Sequence, residues 1–265
     1  MEPLILVTND DGILSPGLIA AAEAVQGLGD LLIAAPRTQQ TAMGRAFPRA
    51  ENVGLIEEFE LLVNHRRVTG YGITGSPAQV VSHALLELAP RKPALCISGV
   101  NYGENIGRGL MASGTLGAAF EADGYGIPAI AVSQELDLEL QQTATYGEVD
   151  WRAATHFTGR FAEKIIREGL PGRVALLNLN IPVHATPETP VRLTTQSSQS
   201  YYVFRLPEKR DFSKAFRLKL ELFVDQEKLE ETSDIKAIRY DRVVSLTPLT
   251  WDLSAATEQD LAGWV

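Results

Sequence analysis

The chain has 265 residues, of which 45% are hydrophobic and 22% are charged, and its formal net charge is −9. This length and apolar content are enough for one large α/β domain with a sizeable core. The acidic balance disfavours a protein that grips nucleic-acid duplexes, because such proteins track the phosphate backbone with a basic surface.

The first predicted element is a buried parallel strand over residues 4–7, which stops at Asn9-Asp10-Asp11-Gly12. A short run of aliphatic residues closed by turn residues supports this prediction. Ligands of open α/β sheets bind beyond the carboxyl ends of the strands, and adjacent carboxylates there repel each other unless a cation separates them. A hard divalent metal ion is the natural occupant. The alternative is that Asp10 and Asp11 only form a turn and cap the next helix.

A helix and a second strand follow. Ser15-Pro16 is typical of the cap and first residue of a helix, and the apolar spacing of that helix continues to Gln26. Residues 31–35 predict a second buried strand, which ends at Pro36. The right-handed crossover of a β-α-β unit places the loop after the second strand beside the loop after the first. Thr41, in that later loop, can then approach the two aspartates.

The following region predicts fewer features. Short strands of a meander are expected at residues 61–63 and 67–69. A turn that ends at Pro77 then begins a helix over residues 78–88, with one apolar face. His83 lies on that helix and is interpreted as a packing or surface residue.

Residues 95–109 predict a strand that opens into a glycine-rich loop. The only cysteine, Cys96, has apolar neighbours and is predicted as a core residue rather than a catalytic thiol. The loop lacks the Gly-x-Gly-x-x-Gly spacing of a dinucleotide site. Its glycines permit an anion-binding concavity, and Asn101, just past the predicted strand end, can be a neutral metal ligand. The alternative is a flexible surface loop.

The first half ends with another helix and strand. Ser113-Gly114-Thr115 opens an alanine-rich helix over residues 116–122, and residues 129–133 form the next predicted strand. Two hydroxyls and unpaired amides at a helix N-terminus suit a phosphate group. The same residue types also serve as ordinary helix caps.

The second half is less regular. A helix is predicted over residues 151–168 and a strand over residues 174–179. Between residues 191 and 223, the alternation at 201–205 and 217–223 predicts long β arms with one wet face. A two-stranded arm is marginal alone in water, so we expect it to pair with a second copy of the chain. The alternative is that the arm folds back on its own domain.

Taken together, the motifs resemble the SurE survival-protein family of metal-dependent 5'/3'-nucleotidases. The motifs that carry the resemblance are Asn9-Asp10-Asp11-Gly12, Ala35-Pro36 with Thr41, Thr74-Gly75-Ser76-Pro77-Ala78, Ser98-Gly99-Val100-Asn101 with Gly103 and Asn105, and Ser113-Gly114-Thr115-Leu116-Gly117-Ala118-Ala119. The resemblance implies an α/β fold, a Rossmann-like three-layer sandwich with a mostly parallel central sheet and C-terminal β arms for oligomerisation. It further implies one domain over residues 1–265, with a site-bearing core at 1–134 and a β-arm appendage at 190–225.

The resemblance also implies roles for single residues. Asp10, Asp11, the hydroxyl of Thr41 and the amide of Asn101 are expected to ligate the metal ion, and the two aspartates are expected to be catalytic. Substrate and phosphate binding are expected at Asn9, Gly99, Asn105, Ser113, Gly114 and Thr115. A set of oxygen ligands without thiolate or imidazole favours Mg²⁺ or Mn²⁺.

The implied activity is divalent-metal-dependent hydrolysis of nucleoside 5'(3')-monophosphates to nucleoside and phosphate. Three residues depart from the family pattern: Thr41 stands in place of the usual serine, Ala112 in place of a common tyrosine, and Ser76 in place of a common threonine. Threonine keeps the oxygen that a metal ion would use.

Two other functions stay open. An aspartyl-phosphate phosphatase would use one carboxylate as its nucleophile, but that class has its aspartates two apart, and here they are adjacent. A non-catalytic nucleotide- or metal-binding regulator on the same fold is compatible with the changes at Thr41 and Ala112. Phosphohistidine chemistry is disfavoured, because the four histidines lie outside every motif: His65, His83, His156 and His184.

The expected partners are a nucleotide or other phosphomonoester and further copies of the chain, as a homodimer or homotetramer. No membrane partner is expected, because the longest apolar stretches are shorter than the roughly 20 residues of a membrane span. Met1-Glu2-Pro3 lacks the basic region that begins a signal peptide, so we expect a cytoplasmic protein.

Overall fold

A computed structural model describes residues 2–136 and 147–254 of the chain. The strands of the described residues, in chain order, are β1 (Leu4–Thr8), β2 (Asp30–Pro36), β3 (Ile56–Val63), β4 (Arg66–Ile73), β5 (Leu95–Tyr102), β6 (Ala129–Gln134), β7 (Leu176–Ile181), β8 (Val191–Leu193), β9 (Tyr202–Phe204), β10 (Leu220–Leu222) and β11 (Val244–Leu249). The helices are α1 (Pro16–Val25), α2 (Pro77–His83), α3 (Gly114–Gly124), α4 (Arg152–Glu168) and α5 (Asp234–Arg239).

Nine strands form one sheet in the order β3-β4-β2-β1-β5-β6-β7-β11-β8. The strands from β4 to β7 in this order are parallel to one another, while β3 and β11 run antiparallel to β4 and β7. After β1 the chain crosses to β2 on one side, and it later returns to β5 on the other side. The loops that follow β1 and β5 therefore diverge, which is the arrangement that opens a ligand crevice in α/β sheets.

Helices cover both faces of this sheet. Side chains of successive residues in β1 point to opposite faces, so Ile5 packs into the cluster with Leu18 of α1 and Phe157 of α4. Leu6 packs into the second cluster, which includes Leu116 of α3. The predicted three-layer α/β sandwich with a mostly parallel sheet is confirmed. Cys96 is also fully buried in the second cluster, as its apolar neighbours predicted.

The region after β2 contains more structure than the sequence predicted. β3 and β4 are eight residues long and form a hairpin. Its two-residue turn, Asn64-His65, has φ values of 43° and 63°, which is the backbone that such turns require. β3 was not predicted at its full length because its acidic residues interrupt the alternation of apolar and polar positions. The helix predicted over residues 78–88 is α2 followed by a π-helical turn, Ala84–Leu88.

β5 also differs from its prediction, because it continues to Tyr102 and Asn101 lies inside it rather than past its end. The register between β5 and β6 shifts between Ser98 and Asn101. Gly99 explains the shift: it has a φ of +141°, and a Cβ at this position would lie 2.3 Å from the carbonyl oxygen of Val132. Close approach of the two strands thus requires glycine here.

The long strands predicted between residues 191 and 223 were wrong in length. β8 joins the main sheet beside β11, and β9 and β10 pair with each other over three residues each. Tyr201 does not lie on the surface of an arm, since it is 1% exposed and packs with Ile106, Ile235 and Ile238. β11 and α5 were not predicted from the sequence. Among the described residues, no helix combines the length and apolarity that crossing a membrane requires.

Candidate functional site

The site is built on the tight turn that follows β1. Asn9 is fully buried, and its side chain donates to the carbonyl oxygen of Gly12 over 3.1 Å and accepts from the amide of Gly12 over 3.0 Å. Gly12 has a φ of +109°, a conformation that favours glycine. Asn9 was predicted to bind substrate. In the structure its side chain closes the turn that holds the two aspartates at the edge of the sheet.

Asp10 lies against the N-terminus of α3. It is 6% exposed, and one carboxylate oxygen, Oδ1, accepts a 2.7 Å hydrogen bond from the hydroxyl of Thr115. A Cβ on Gly114 would lie 2.8 Å from the other oxygen, Oδ2. Burial raises the pKa of Asp10, while the Thr115 hydroxyl and the amides of Thr115 and Gly114 oppose that rise. The start of α3 was predicted to bind phosphate, and the structure places Asp10 there.

Asp11 lies on the other side of the turn and is 4% exposed. Its Oδ2 accepts from the amide of Tyr102 over 3.2 Å, and its Oδ1 accepts from the side chain of Gln39 over 3.3 Å. Burial and the charge of Asp10 raise the pKa of Asp11. The groups that oppose these effects at both aspartates are neutral donors. A divalent cation would compensate two buried adjacent carboxylates, so the donor chemistry fits such an ion.

Two neutral oxygens were predicted as further metal ligands. The side-chain amide of Asn101 donates to the carbonyl oxygen of Gly103 over 2.7 Å, so its oxygen is the atom that a cation could use. Thr41 is exposed and follows Gln40, whose amide donates to the carbonyl oxygen of Asp10 over 2.7 Å. That bond ties the loop of Thr41 to the turn of the aspartates.

The described ranges contain no cluster of three or more histidine, cysteine, aspartate and glutamate side chains that could hold a metal ion. Asp10 and Asp11 with the predicted oxygens of Thr41 and Asn101 would give an ion a ligand set made only of oxygens, which suits a hard cation.

Some of the predicted phosphate-binding groups have other partners. The glycine-rich loop that begins near Gly99 was expected to form an anion-binding concavity, but the amide of Tyr102 donates to Asp11 and that of Gly103 donates to the carbonyl oxygen of Gln134. Ser113 accepts from the amide of Leu116 over 3.2 Å and so caps α3. The sequence did not show that the amides of Tyr102 and Gly103 are occupied, because β5 was predicted to end just before Asn101 and it continues to Tyr102.

Asn105 was predicted to bind substrate, and in the structure it joins its loop to the sheet. Its backbone amide donates to Asn180 Oδ1 over 2.8 Å, and its side chain donates to the hydroxyl of Ser133 over 2.9 Å. Its carbonyl oxygen accepts from Asn178 and Asn180 of β7. No role was predicted for these two asparagines. Their signal is their placement at alternate positions of an apolar strand, which puts both side chains on one face.

A small cavity of about 150 Å³ opens beside Ser113. Its wall includes Leu116 and Phe120 of α3 and also Trp251, while Arg45 lies at its edge over the Trp251 ring. The cavity is thus apolar and aromatic and adjoins the helix N-terminus that contacts Asp10.

Known proteins share both the sequence and the fold. A family model described as Survival protein SurE matches residues 5–203. A protein named 5'-nucleotidase SurE from Methanocella arvoryzae is 38% identical over 261 residues, which cover 96% of this chain and 94% of that protein. A protein of the same name from Thermococcus kodakarensis is 36% identical over 254 residues, which cover 95% of this chain and 93% of that protein.

A solved structure agrees over almost the whole length. The crystal structure of the SurE protein from Aquifex aeolicus superposes with a TM-score of 0.76 at 26% sequence identity, and the match covers 99% of each chain. The sequence motifs, the strand order and these matches lead to one conclusion: the chain belongs to the SurE family.

Proposed function

We propose that this protein is a phosphoric monoester hydrolase, a 5'-nucleotidase that converts nucleoside 5'-monophosphates, and 3'-monophosphates, to nucleoside and phosphate with a divalent metal ion. The observation that carries the proposal is the buried pair of Asp10 and Asp11 at the carboxyl end of β1, where the sheet opens. The names of the relatives, 5'-nucleotidase SurE, support the reaction class.

Asp10, Asp11, the Thr41 hydroxyl and the Asn101 side-chain oxygen would hold the ion, with Mg²⁺ or Mn²⁺ favoured by this donor set. A bound ion supplies Lewis acidity to the phosphoryl oxygens and lowers the pKa of water. The protein contributes the turn that fixes both carboxylates, since Asn9 and Gly12 close it.

Different residues are proposed to have different roles in the hydrolysis. One carboxylate of the aspartate pair orients the attacking water and accepts its proton at a carboxylate oxygen. The water oxygen bonds to phosphorus while the bond from phosphorus to the nucleoside oxygen breaks, and that oxygen takes a proton from solvent water to give the nucleoside hydroxyl. Ser113, Gly114, Thr115 and the backbone at Gly99 are proposed to hold the phosphoryl group. Asn9 and Asn105 are proposed to act through the backbone segments that they fix, given the bonds described above.

The cavity beside Ser113 is proposed to receive part of the nucleoside. Its aromatic wall, with Phe120 and Trp251, suits a base, because bases stack on aromatic side chains. Its position beside the start of α3 keeps the phosphate near Asp10.

Phosphate release from a panel of nucleoside 5'- and 3'-monophosphates and from p-nitrophenyl phosphate, in Mn²⁺ or Mg²⁺, tests the proposal. Wild-type protein is expected to prefer nucleotides, D10N and D11N are expected to be inactive, and D252N, an exposed control, is expected to match wild type. Tight nucleotide binding without phosphate release in any metal would refute the enzyme and indicate a regulator.

We also propose that the chain assembles as a homodimer or homotetramer through the segment between β9 and β10. That segment and its flanks expose large apolar side chains: Phe204 is 66% exposed, Leu206 is 95% exposed and Phe212 is 87% exposed. β9 and β10 form a separate two-stranded sheet, which is marginal in water without further packing. Residues 190–225 are the proposed appendage on a single domain whose site-bearing core is residues 1–134.

A further inference from the structure

The loop of residues 103–112, here called the site loop, connects β5 to α3. It begins directly after Asn101 and Tyr102 and runs into Ser113, the cap of α3. Asn105 fastens its first part to β7. A second attachment lies at Gly107, and its partners come from the C-terminal part of the chain.

Both polar backbone groups of Gly107 are hydrogen-bonded. Its amide donates to Asp234 Oδ2 over 2.9 Å, and its carbonyl oxygen accepts from the side chain of Gln196 over 2.9 Å. The next amide, that of Arg108, donates to the carbonyl oxygen of Gln199 over 2.9 Å. Gly107 has a φ of +57°, and a Cβ would lie 2.5 Å from the carbonyl oxygen of Gln199. The backbone of the site loop therefore packs directly against the segment around Gln196 and Gln199.

Asp234 is the centre of this attachment. It is fully buried, and its second oxygen, Oδ1, accepts from the amides of Ser197 and Ile235 over 3.0 and 2.8 Å. Each amide comes from a different segment, so one carboxylate joins the site loop, the segment at Ser197 and α5. The ion pairs between described residues do not include Asp234. A buried carboxylate is costly without a cation unless its oxygens are well hydrogen-bonded.

A short stretch of chain connects Gly107 with the residues that contact Asp10. The 3₁₀ turn Gly107–Ala112 begins at the residue that Asp234 holds and ends one residue before Ser113. Two residues further on, Thr115 donates to Asp10. A shift of Gly107 would therefore displace the start of α3 relative to Asp10.

We propose that Asp234 is a positioning residue for phosphomonoester hydrolysis: its carboxylate fixes Gly107 and thereby sets the site loop and the start of α3 against Asp10. This inference rests on the function proposed above. The buried carboxylate acts through the backbone of the site loop and does not touch the substrate.

The D234N variant separates this role from general stability. An asparagine can keep its oxygen on the amides of Ser197 and Ile235, but its NH₂ group then faces the amide of Gly107, and that bond is lost. The expected result is a kcat about 10- to 100-fold below wild type with little change in KM or melting temperature. The matched control is E230Q, because Glu230 accepts hydrogen bonds from Ser197 and Ser198 on the same segment and does not contact the Gly107 amide that Asp234 holds. Its kcat is expected to equal that of wild type.

Wild-type kcat in D234N, or equal losses of kcat in D234N and E230Q, would overturn the inference and leave the proposed function standing. If D234N does not fold, Q196A decides, since it removes the bond to the carbonyl oxygen of Gly107 from an exposed side chain. A lowered kcat in Q196A supports the inference, and an unchanged kcat overturns it.

If wild-type protein releases no phosphate, the proposed function fails, and hydrogen exchange of peptides from residues 103–112 decides on the attachment. Faster exchange in D234N than in E230Q supports the hold on the site loop. Equal exchange in the two variants overturns it.

Discussion

Thr115 donates a 2.7 Å hydrogen bond to Asp10, and 105 residues of chain separate the two. Both side chains are buried, so the bond joins the start of α3 to the end of β1 inside the protein. Among the groups that keep Asp10 ionised, the Thr115 hydroxyl makes the largest contribution. The threonine that was predicted to bind phosphate thus donates a hydrogen bond to Asp10, and this bond favours the ionised carboxylate.

Replacing Thr115 by valine should therefore raise the pKa of Asp10 further. A hydrogen bond to a charged group is worth about 1.5 to 3 kcal/mol, which corresponds to about 1 to 2 pH units. The acid limb of the pH profile for Mn²⁺ binding to metal-free protein should move to higher pH in T115V and return in T115S. Identical acid limbs in wild type and T115V would contradict this role.

Replacing Asp11 by asparagine should weaken the binding of the metal ion, because the site loses one of two formal charges. Wild-type protein should melt at a higher temperature in Mn²⁺, since an ion at 100 times its Kd adds about 2.7 kcal/mol to the free energy of unfolding. D11N should show little of this gain and remain folded without metal, whereas D252N should behave as wild type. Differential scanning calorimetry measures the gain; a full gain in D11N would remove Asp11 from the ligand set.

Glu104 gives a prediction for stability against pH. It is 6% exposed, and burial raises its pKa to about 7, against the opposing hydrogen bond from Tyr202. Because the folded pKa lies above the unfolded one, the stabilising effect of the proton is complete below about pH 4.5 and is lost as the pH rises through 7. At pH 8 the ionised group should lower the free energy of unfolding by about 3 kcal/mol.

The E104Q variant tests this directly, since glutamine stays neutral and still offers an oxygen to Tyr202. Urea unfolding at pH 4, 6 and 8 should show E104Q equal to wild type at pH 4 and more stable at pH 8. E58Q, at an exposed position of β3, is the control. Parallel stability curves for wild type and E104Q would show that Glu104 does not titrate as described.

What the sequence could predict was local. Neighbouring residues determine three features: β1, the turn at Asp10 and Asp11, and the start of α3. All three occur in the structure where the sequence predicted them. The end of β5 was misplaced because Gly99 and Gly103 are typical of loops. In the fold, Gly99 lies within a strand, and glycine is required there because the carbonyl oxygen of Val132 on the neighbouring strand leaves no room for a Cβ.

The attachments of the site loop could not be predicted from local patterns. Gly107 and Asp234 are 127 residues apart, and Asp234 lies outside every motif that the sequence offered. α5 is only six residues long, too short for a clear apolar period. The same limit applied to Tyr201, which the alternation placed on an arm and the fold places in a cluster with Ile106.

The assembly proposed for the chain predicts a change in mass. Full-length protein at micromolar concentration should scatter light as a dimer or tetramer. A variant in which residues 205–218 are replaced by a short Gly-Ser turn should lose that state, because the exposed side chains of Leu206, Phe212 and Phe216 are removed. A monomeric full-length protein would show that the segment serves its own fold.

Asp10 and Asp11 are proposed to hold a divalent ion that hydrolysis requires, and phosphate release before and after metal removal tests this most directly. Phosphate release from adenosine 5'-monophosphate is followed for protein stripped with a chelator, for the same protein after Mn²⁺ or Mg²⁺ is returned, and for D11N under both conditions. Stripped protein should be inactive, the returned ion should restore wild type, and it should not restore D11N. Release that continues undiminished after thorough removal of metal would contradict the account.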